Sequence, residues 1–105
     1  MTKDEKKEYL NSYILRRRRI ARLLEQQQAE PLLPAKFIKE IAEEEDALSK
    51  TEAAVKAVDG AVLSEVLAEK YLCGKTIEQT AHSLNYSVRH TSRLHQKALE
   101  MFRPL

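Results

Sequence analysis

Arg89, Ser92, Arg93 and Gln96 recur at helical spacing near the end of the chain, on one face of a segment that runs from Val88 to about Arg103. Two guanidiniums, a hydroxyl and a carboxamide side by side are the donors and acceptors that match base edges. Arginine pairs bidentately with guanine, glutamine with adenine, and serine with several partners. Thr91, Leu94, Ala98, Met101 and Phe102 project to the opposite side and are expected to pack inward. A solvated helix face is polar in most proteins, so the pattern draws its meaning from the residues that precede it.

Those residues form a second element. Thr76 with Gln79 has the spacing of a capping box, opening a short helix from Ile77 to Leu84. Asn85 tolerates a left-handed turn, and Ser87 can cap the final helix. A short helix, a tight turn and a longer helix make the helix-turn-helix pattern. Ala81 provides the small residue where the two helices cross, and Ile77, Leu84 and Leu94 hold them together. Thr80 and Thr91 stand where larger hydrophobes are more usual.

Other chemistry is poorly supported. His90 and His95 are five residues apart, about 140° around a helix, and neither carboxylate nor cysteine completes a metal set with them. His82 is expected on an exposed face, and His90 in a flanking role. Cys73, the single cysteine, excludes an internal disulfide, and its apolar neighbours suggest a buried structural thiol. No phosphate-binding loop, dinucleotide fingerprint or paired-carboxylate arrangement is present, so no enzyme is expected.

The 105 residues carry 18 Lys/Arg and 16 Asp/Glu, a net charge of +2 that is unevenly distributed. Residues 1–24 balance at +5, residues 25–69 at −7 and residues 70–105 at +4. Sign asymmetry of this kind speaks of partners more than of fold. With two glycines and three prolines in a chain that is 43% hydrophobic, the composition points to an all-α protein.

A first helix is expected over about Thr2–Ala29, with Leu10, Tyr13, Ile14, Arg17, Ile20, Ala21 and Leu24 on its stripe. Pro31 and Pro34 end it. A second helix starts at Ala35, its thin seam made by Ile41, Leu48 and Val55 with Phe37, Ile38 and Val58 nearby. The short connection predicts a long antiparallel, coiled-coil-like hairpin over residues 1–58. Asp59 is a candidate N-cap for a third helix, Ala61–Cys73, with Val62, Leu63, Val66, Leu67 and Tyr71 as its apolar set and Gly74 as its stop. Residues 59–105 then form a three-helix unit containing the helix-turn-helix.

Arg16, Arg17, Arg18 and Arg19, with Arg22, are the densest charge. Four consecutive residues span a helix circumference, so they cannot all face one partner. They are positioned either to touch a phosphate backbone or to pair, within or between subunits, with Glu43, Glu44, Glu45 and Asp46 across the hairpin. The hairpin register favours pairing.

The run Thr76-Ile-Glu-Gln-Thr-Ala-His-Ser-Leu-Asn-Tyr-Ser, continuing into Arg89, Arg93 and Lys97-Ala98-Leu99, resembles region 4 of bacterial primary sigma factors, which binds the −35 promoter element. The resemblance covers roughly Leu63 to Arg103. It implies that Val88, Arg89, Ser92 and Arg93 face bases. Val88 departs from the family's arginine there, and Thr91 from its buried aliphatic residue. The whole chain is similar to small phage regulators of the RinA/ArpU late-activator type, through Asp4-Glu-Lys-Lys-Glu-Tyr-Leu, Arg16–Arg19 and the stretch from Tyr71 to His95.

These features together predict a transcription regulator that binds double-stranded DNA, with Val88, Arg89, Ser92, Arg93 and Gln96 at the bases. Lys75, Ser87, Lys97 and Arg103 are expected at phosphates. A homodimer through residues 1–58 would place two such helices at separated half-sites, and RNA polymerase is a further possible partner. The competing expectation is a region-4 mimic that binds polymerase or another protein without reading DNA. No cofactor, metal, small-molecule substrate or membrane is expected. The charged start Met1-Thr2-Lys3-Asp4-Glu5 and the lack of an apolar run near 20 residues predict a cytoplasmic location in a bacterial host.

Overall fold

The computed structural model describes residues 1–29 and 35–104, with only the backbone of Lys36. The expected break at Pro31–Pro34 lies outside the described residues. Every regular element described is helical: α1 (Lys3–Ala29), α2 (Ala35–Lys56), α3 (Ala61–Leu67) running into a π-helical turn (Ala68–Leu72), α4 (Ile77–Leu84) and α5 (Val88–Met101). The protein is all-α, and none of these helices is long and apolar enough to cross a membrane.

Thr2 and Glu5 open α1 by exchanging bonds: Glu5 N–H donates to Thr2 Oγ1 (3.2 Å) and Thr2 N–H to Glu5 Oε1 (3.3 Å). These bonds hold the Glu5 carboxyl below its ordinary pKa. α1 and α2 pack with low numbers against high ones, as in an antiparallel pair. Tyr13 Oη donates to Glu52 (2.6 Å), Arg16 Nη1 to Glu44 (2.8 Å), and Ile20 and Leu23 cluster with Ile41.

The seam differs from its expected phase on both helices. On α1 Leu23 is buried, Leu24 is 43% exposed and Ala21 is exposed, so the stripe runs through Tyr13, Ile20 and Leu23, with Arg16 bonded to Glu44 beside it. On α2, Phe37 joins the cluster one turn before Ile41, and Ile38, a residue further round, is 57% exposed.

Gly60, not Asp59, caps α3. Its φ of +110° is open to glycine and strained for a side chain, and no side-chain bond closes the helix start. Ser64 Oγ donates to Val55 O (2.9 Å), tying α3 to the last turn of α2. Leu63, Val66 and Leu67 are buried, and Val62 is exposed.

The segment expected to stay α-helical to Cys73 widens instead. Cys73 N–H donates to Ala68 O (3.0 Å), the i→i−5 bond of a π-turn, before Gly74 stops the helix at φ +72°. Tyr71 is buried within the turn, and Cys73 at the helix end is exposed, contrary to the expected buried thiol.

One core joins both halves of the chain. Leu10 of α1, Ala54, Val55 and Val58 around the end of α2, Leu63 and Leu67 of α3, Tyr71, and Ala98, Leu99 and Phe102 pack together. α1 also holds the end of α5 directly. Lys6 Nζ donates to Leu99 O (2.8 Å) and Glu100 O (3.2 Å), placing a cation on the last carbonyls of that helix.

Candidate nucleic-acid interface

α4 is fixed at both ends by its sequence. Thr76 and Gln79 form the reciprocal capping box, Gln79 N–H to Thr76 Oγ1 (3.1 Å) and Thr76 N–H to Gln79 Oε1 (2.9 Å). At the other end Asn85 adopts φ 61°, ψ 40°, and Tyr86 N–H donates back to Ala81 O (2.9 Å). Ser87 then caps α5, its Oγ accepting from His90 N–H (3.1 Å). Three residues therefore reverse the chain with each helix end satisfied, and α5 leaves the turn in a fixed direction.

Thr80 and Thr91 explain how hydroxyls serve at the crossing of these helices. Both are fully buried, and each donates to a carbonyl one turn earlier, Thr80 to Thr76 O (2.8 Å) and Thr91 to Ser87 O (2.9 Å). With the hydroxyl satisfied locally, the methyl group is left for packing beside Ala81. The inward face of α5 is Thr91, His95, Ala98 and Leu99, with Leu94 partly buried and Phe102 completing it. Met101, expected to face inward, is exposed. At 100° per residue it lies 200° from Leu99, which is fully buried.

His95 is the unexpected member of that face. Its Nε2 lies 2.7 Å from Oη of Tyr71, which is buried at the π-turn. Burial is the main cause that pushes the imidazole down to about pKa 4, helped by the charges of Lys70 and Lys7, and burial raises the Tyr71 phenol to about 12. The pair is therefore neutral near pH 7.

The outward residues of α5 are arranged differently. Val88, Arg89, Arg93, Gln96, Lys97 and, just past the helix, Arg103 are exposed, and Ser92 is half-buried. Among the described residues, the polar side chains of Arg89, Arg93, Gln96, Lys97 and Arg103 make no hydrogen bond or ion pair. Two residues expected at phosphates are partly engaged: Ser87 in its cap, and Lys75 in an ion pair with Glu69 and a bond to Ser83 Oγ (3.0 Å). The Glu69 bond raises the Lys75 pKa.

The arginine run is divided. Arg16 and Arg19 both reach Glu44 (2.8 and 3.7 Å), while Arg17 lies 5.8 Å from the Tyr13 ring centroid and 3.5 Å from Leu72 O. Arg18 and Arg22 are exposed and, among the described residues, unpaired. The structure thus brings Glu44 alone, of the four acids expected opposite the run, into contact with it.

His82 and His90 are exposed, the latter meeting Tyr86 edge-on at 4.9 Å. Among the described residues no three His, Cys, Asp or Glu side chains converge as a metal site. Sequence reasoning missed that Lys7 and Asn11 of α1 and Lys70 of the π-turn line a cleft beside Ser92 and Gln96. No local signal carries that juxtaposition, since it comes from packing between residues far apart in the chain, Lys7 and Ser92 being 85 positions apart. No protein-family model matches the chain, and neither a curated protein nor a solved structure is similar enough to match it.

Proposed function

We propose that the chain is a sequence-specific regulator of transcription that binds double-stranded DNA, with α4 and α5 as its helix-turn-helix. In this reading α5 enters the major groove with Val88, Arg89, Ser92, Arg93 and Gln96 toward the bases, and Lys97, Arg103, Ser87 and Lys75 toward phosphates. The observation that carries it is the uncommitted set Arg89, Arg93, Gln96, Lys97 and Arg103, displayed on a helix capped by Ser87 and packed along its opposite face through Thr91, His95, Ala98 and Leu99. A rigid helix that offers bidentate donors loses little freedom on docking.

Residues 1–58 act in this proposal as an antiparallel hairpin that pairs two copies. Leu15, Leu24 and Ile38, all exposed, supply apolar surface for that pairing. The resemblance to phage late activators makes late-gene activation the regulatory role we propose, with no catalytic step.

The test is selection of bound fragments from the source genome, followed by affinity measurement on the selected site. Arg89→Ala with Arg93→Ala is expected to reduce discrimination against random duplex by about 1–3 kcal/mol for each bidentate contact removed. Equal binding of site and random duplex by the wild-type chain would instead support the protein-binding mimic. Undiminished discrimination in the double variant would remove α5 from the reading role.

A further inference from the structure

Beside the outward face of α5 lies a cleft of about 440 Å³, built from three other parts of the chain. Lys7 and Asn11 enter it from α1, Lys70 from the π-turn, and Thr76 from the start of α4, while Ser92 and Gln96 line it from α5. Two base-facing candidates therefore share a concave surface with residues some 85 positions away in the chain.

The charge in this cleft is one-sided. Among the described residues neither Lys7 nor Lys70 belongs to an ion pair, unlike Lys3, Lys50 and Lys75, which are all paired. Lys70 Nζ lies 5.1 Å from the Tyr71 ring centroid, a contact that leaves its charge in place. The neighbouring His95 feels both ammonium groups, and no carboxylate acts on it. The first turn of α4 borders the same space and adds the positive end of its dipole. Two cations, a helix start, and the polar side chains of Asn11 and Ser92 together suit a phosphoryl anion, a source of negative charge that the cleft itself does not contain.

We propose that this cleft takes a backbone phosphate of the DNA strand that borders the groove entered by α5, with Lys7 on one side and Lys70 on the other. The proposal rests on the DNA-binding reading above and extends it. α1 becomes part of the binding surface, and the phosphate fixes how deep Ser92 and Gln96 sit. The contact is blind to sequence, so it acts on affinity and register and leaves base choice to Arg89 and Arg93.

The experiment measures binding of the full chain to its selected site and to a random duplex across a salt series, for wild type, Lys7→Gln, Lys70→Gln and the charge-keeping Lys7→Arg. Each glutamine variant is expected to weaken both duplexes by the same factor and to flatten the slope of log K against log salt by about 0.9. The affinity lost between 50 and 200 mM salt then shrinks by about three- to fourfold per lysine removed. Lys7→Arg should restore the wild-type slope, which separates charge from folding.

If wild type binds neither duplex, this proposal and the DNA-binding reading both fall. If wild type binds and the glutamine variants keep its slope, only the cleft assignment falls. A changed ratio between site and random duplex would make Lys7 or Lys70 a base contact and overturn it too. So would saturable binding of inorganic phosphate that depends on both lysines while the DNA slope stays unchanged, since that identifies a free anion as the occupant.

Discussion

Around Ile20, Leu23 and Ile41 the contact between α1 and α2 is thin, each side chain still 8–9% exposed, whereas Leu10, Leu67, Leu99 and Phe102 at the other end are fully sealed. Charge follows the opposite trend. The thin end draws Arg16 and Arg19 onto Glu44, and the sealed end leaves Arg89, Arg93, Lys97 and Arg103 unpaired. At the sealed end the core is joined by Lys3, paired with Glu100 (3.1 Å), and by Lys6 on the carbonyls of Leu99 and Glu100, while the outward face of α5 above it carries no such pairing. A sparse seam has fewer apolar contacts to define its register, and a two-arginine contact with one carboxylate supplies the missing definition more than it supplies stability.

The comparison breaks most directly on core truncation. Phe102→Ala is expected to cost about 3–5 kcal/mol, because the ring is sealed against Tyr9 (centroids 5.9 Å apart) and closes the end of α5. Ile41→Ala should fall near the lower limit for such changes, about 2 kcal/mol, since its site opens to solvent and can relax. Urea denaturation of the two variants gives both values. Equal losses would mean that the two ends are packed alike.

A second test uses acid against the sealed end. His95 is neutral in the folded chain down to about pH 4, whereas an unfolded histidine takes up its proton near pH 6.5. The unfolded state therefore binds more protons between these values, so stability is whole above pH 6.5 and falls as pH drops toward 4. The loss attributable to this one group is on the order of 3 kcal/mol. His95→Gln, which keeps a polar group for Tyr71 Oη, should flatten the fall in unfolding free energy over that window. A variant whose pH dependence overlays that of wild type would place the acid sensitivity elsewhere.

Both tests rest on features that differ in how far the sequence reveals them. The caps of α4 and α5 are legible because Thr76, Gln79, Asn85 and Ser87 act on backbone within a few residues of themselves. The outward set on α5 is legible for the same reason, as a period along one helix. His95 in the core is not, because its partner Tyr71 Oη stands 24 positions away and meets it only in the packed fold. Asp59 misleads as a cap because local preference yields to a φ that only Gly60 accepts readily. The slip from Leu24 to Leu23 belongs to tertiary contact as well, since Leu23 is the one that clusters with Ile41 of α2, beside the Arg16–Glu44 bond.

That last contact gives the smallest and most specific prediction. Glu44→Gln removes the one carboxylate shared by Arg16 and Arg19 and leaves both cations at the surface. Because Arg16 and Arg19 are about half exposed, the folding cost should be only about 0–1 kcal/mol, read as a small shift in the urea midpoint. The effect on DNA is where the two ends of the molecule are compared directly. If Arg16 and Arg19 are committed to Glu44, releasing them should strengthen binding to random duplex and steepen its salt dependence by up to about 0.9 for each new phosphate contact. In the proposed DNA complex discrimination should hold, because phosphate contacts add to site and random duplex alike and the proposed base contacts of Arg89 and Arg93 are untouched. A variant with unchanged salt slope would mean that the thin end stays clear of DNA whether or not its arginines are paired, and that Glu44 holds them only to keep α1 and α2 in register.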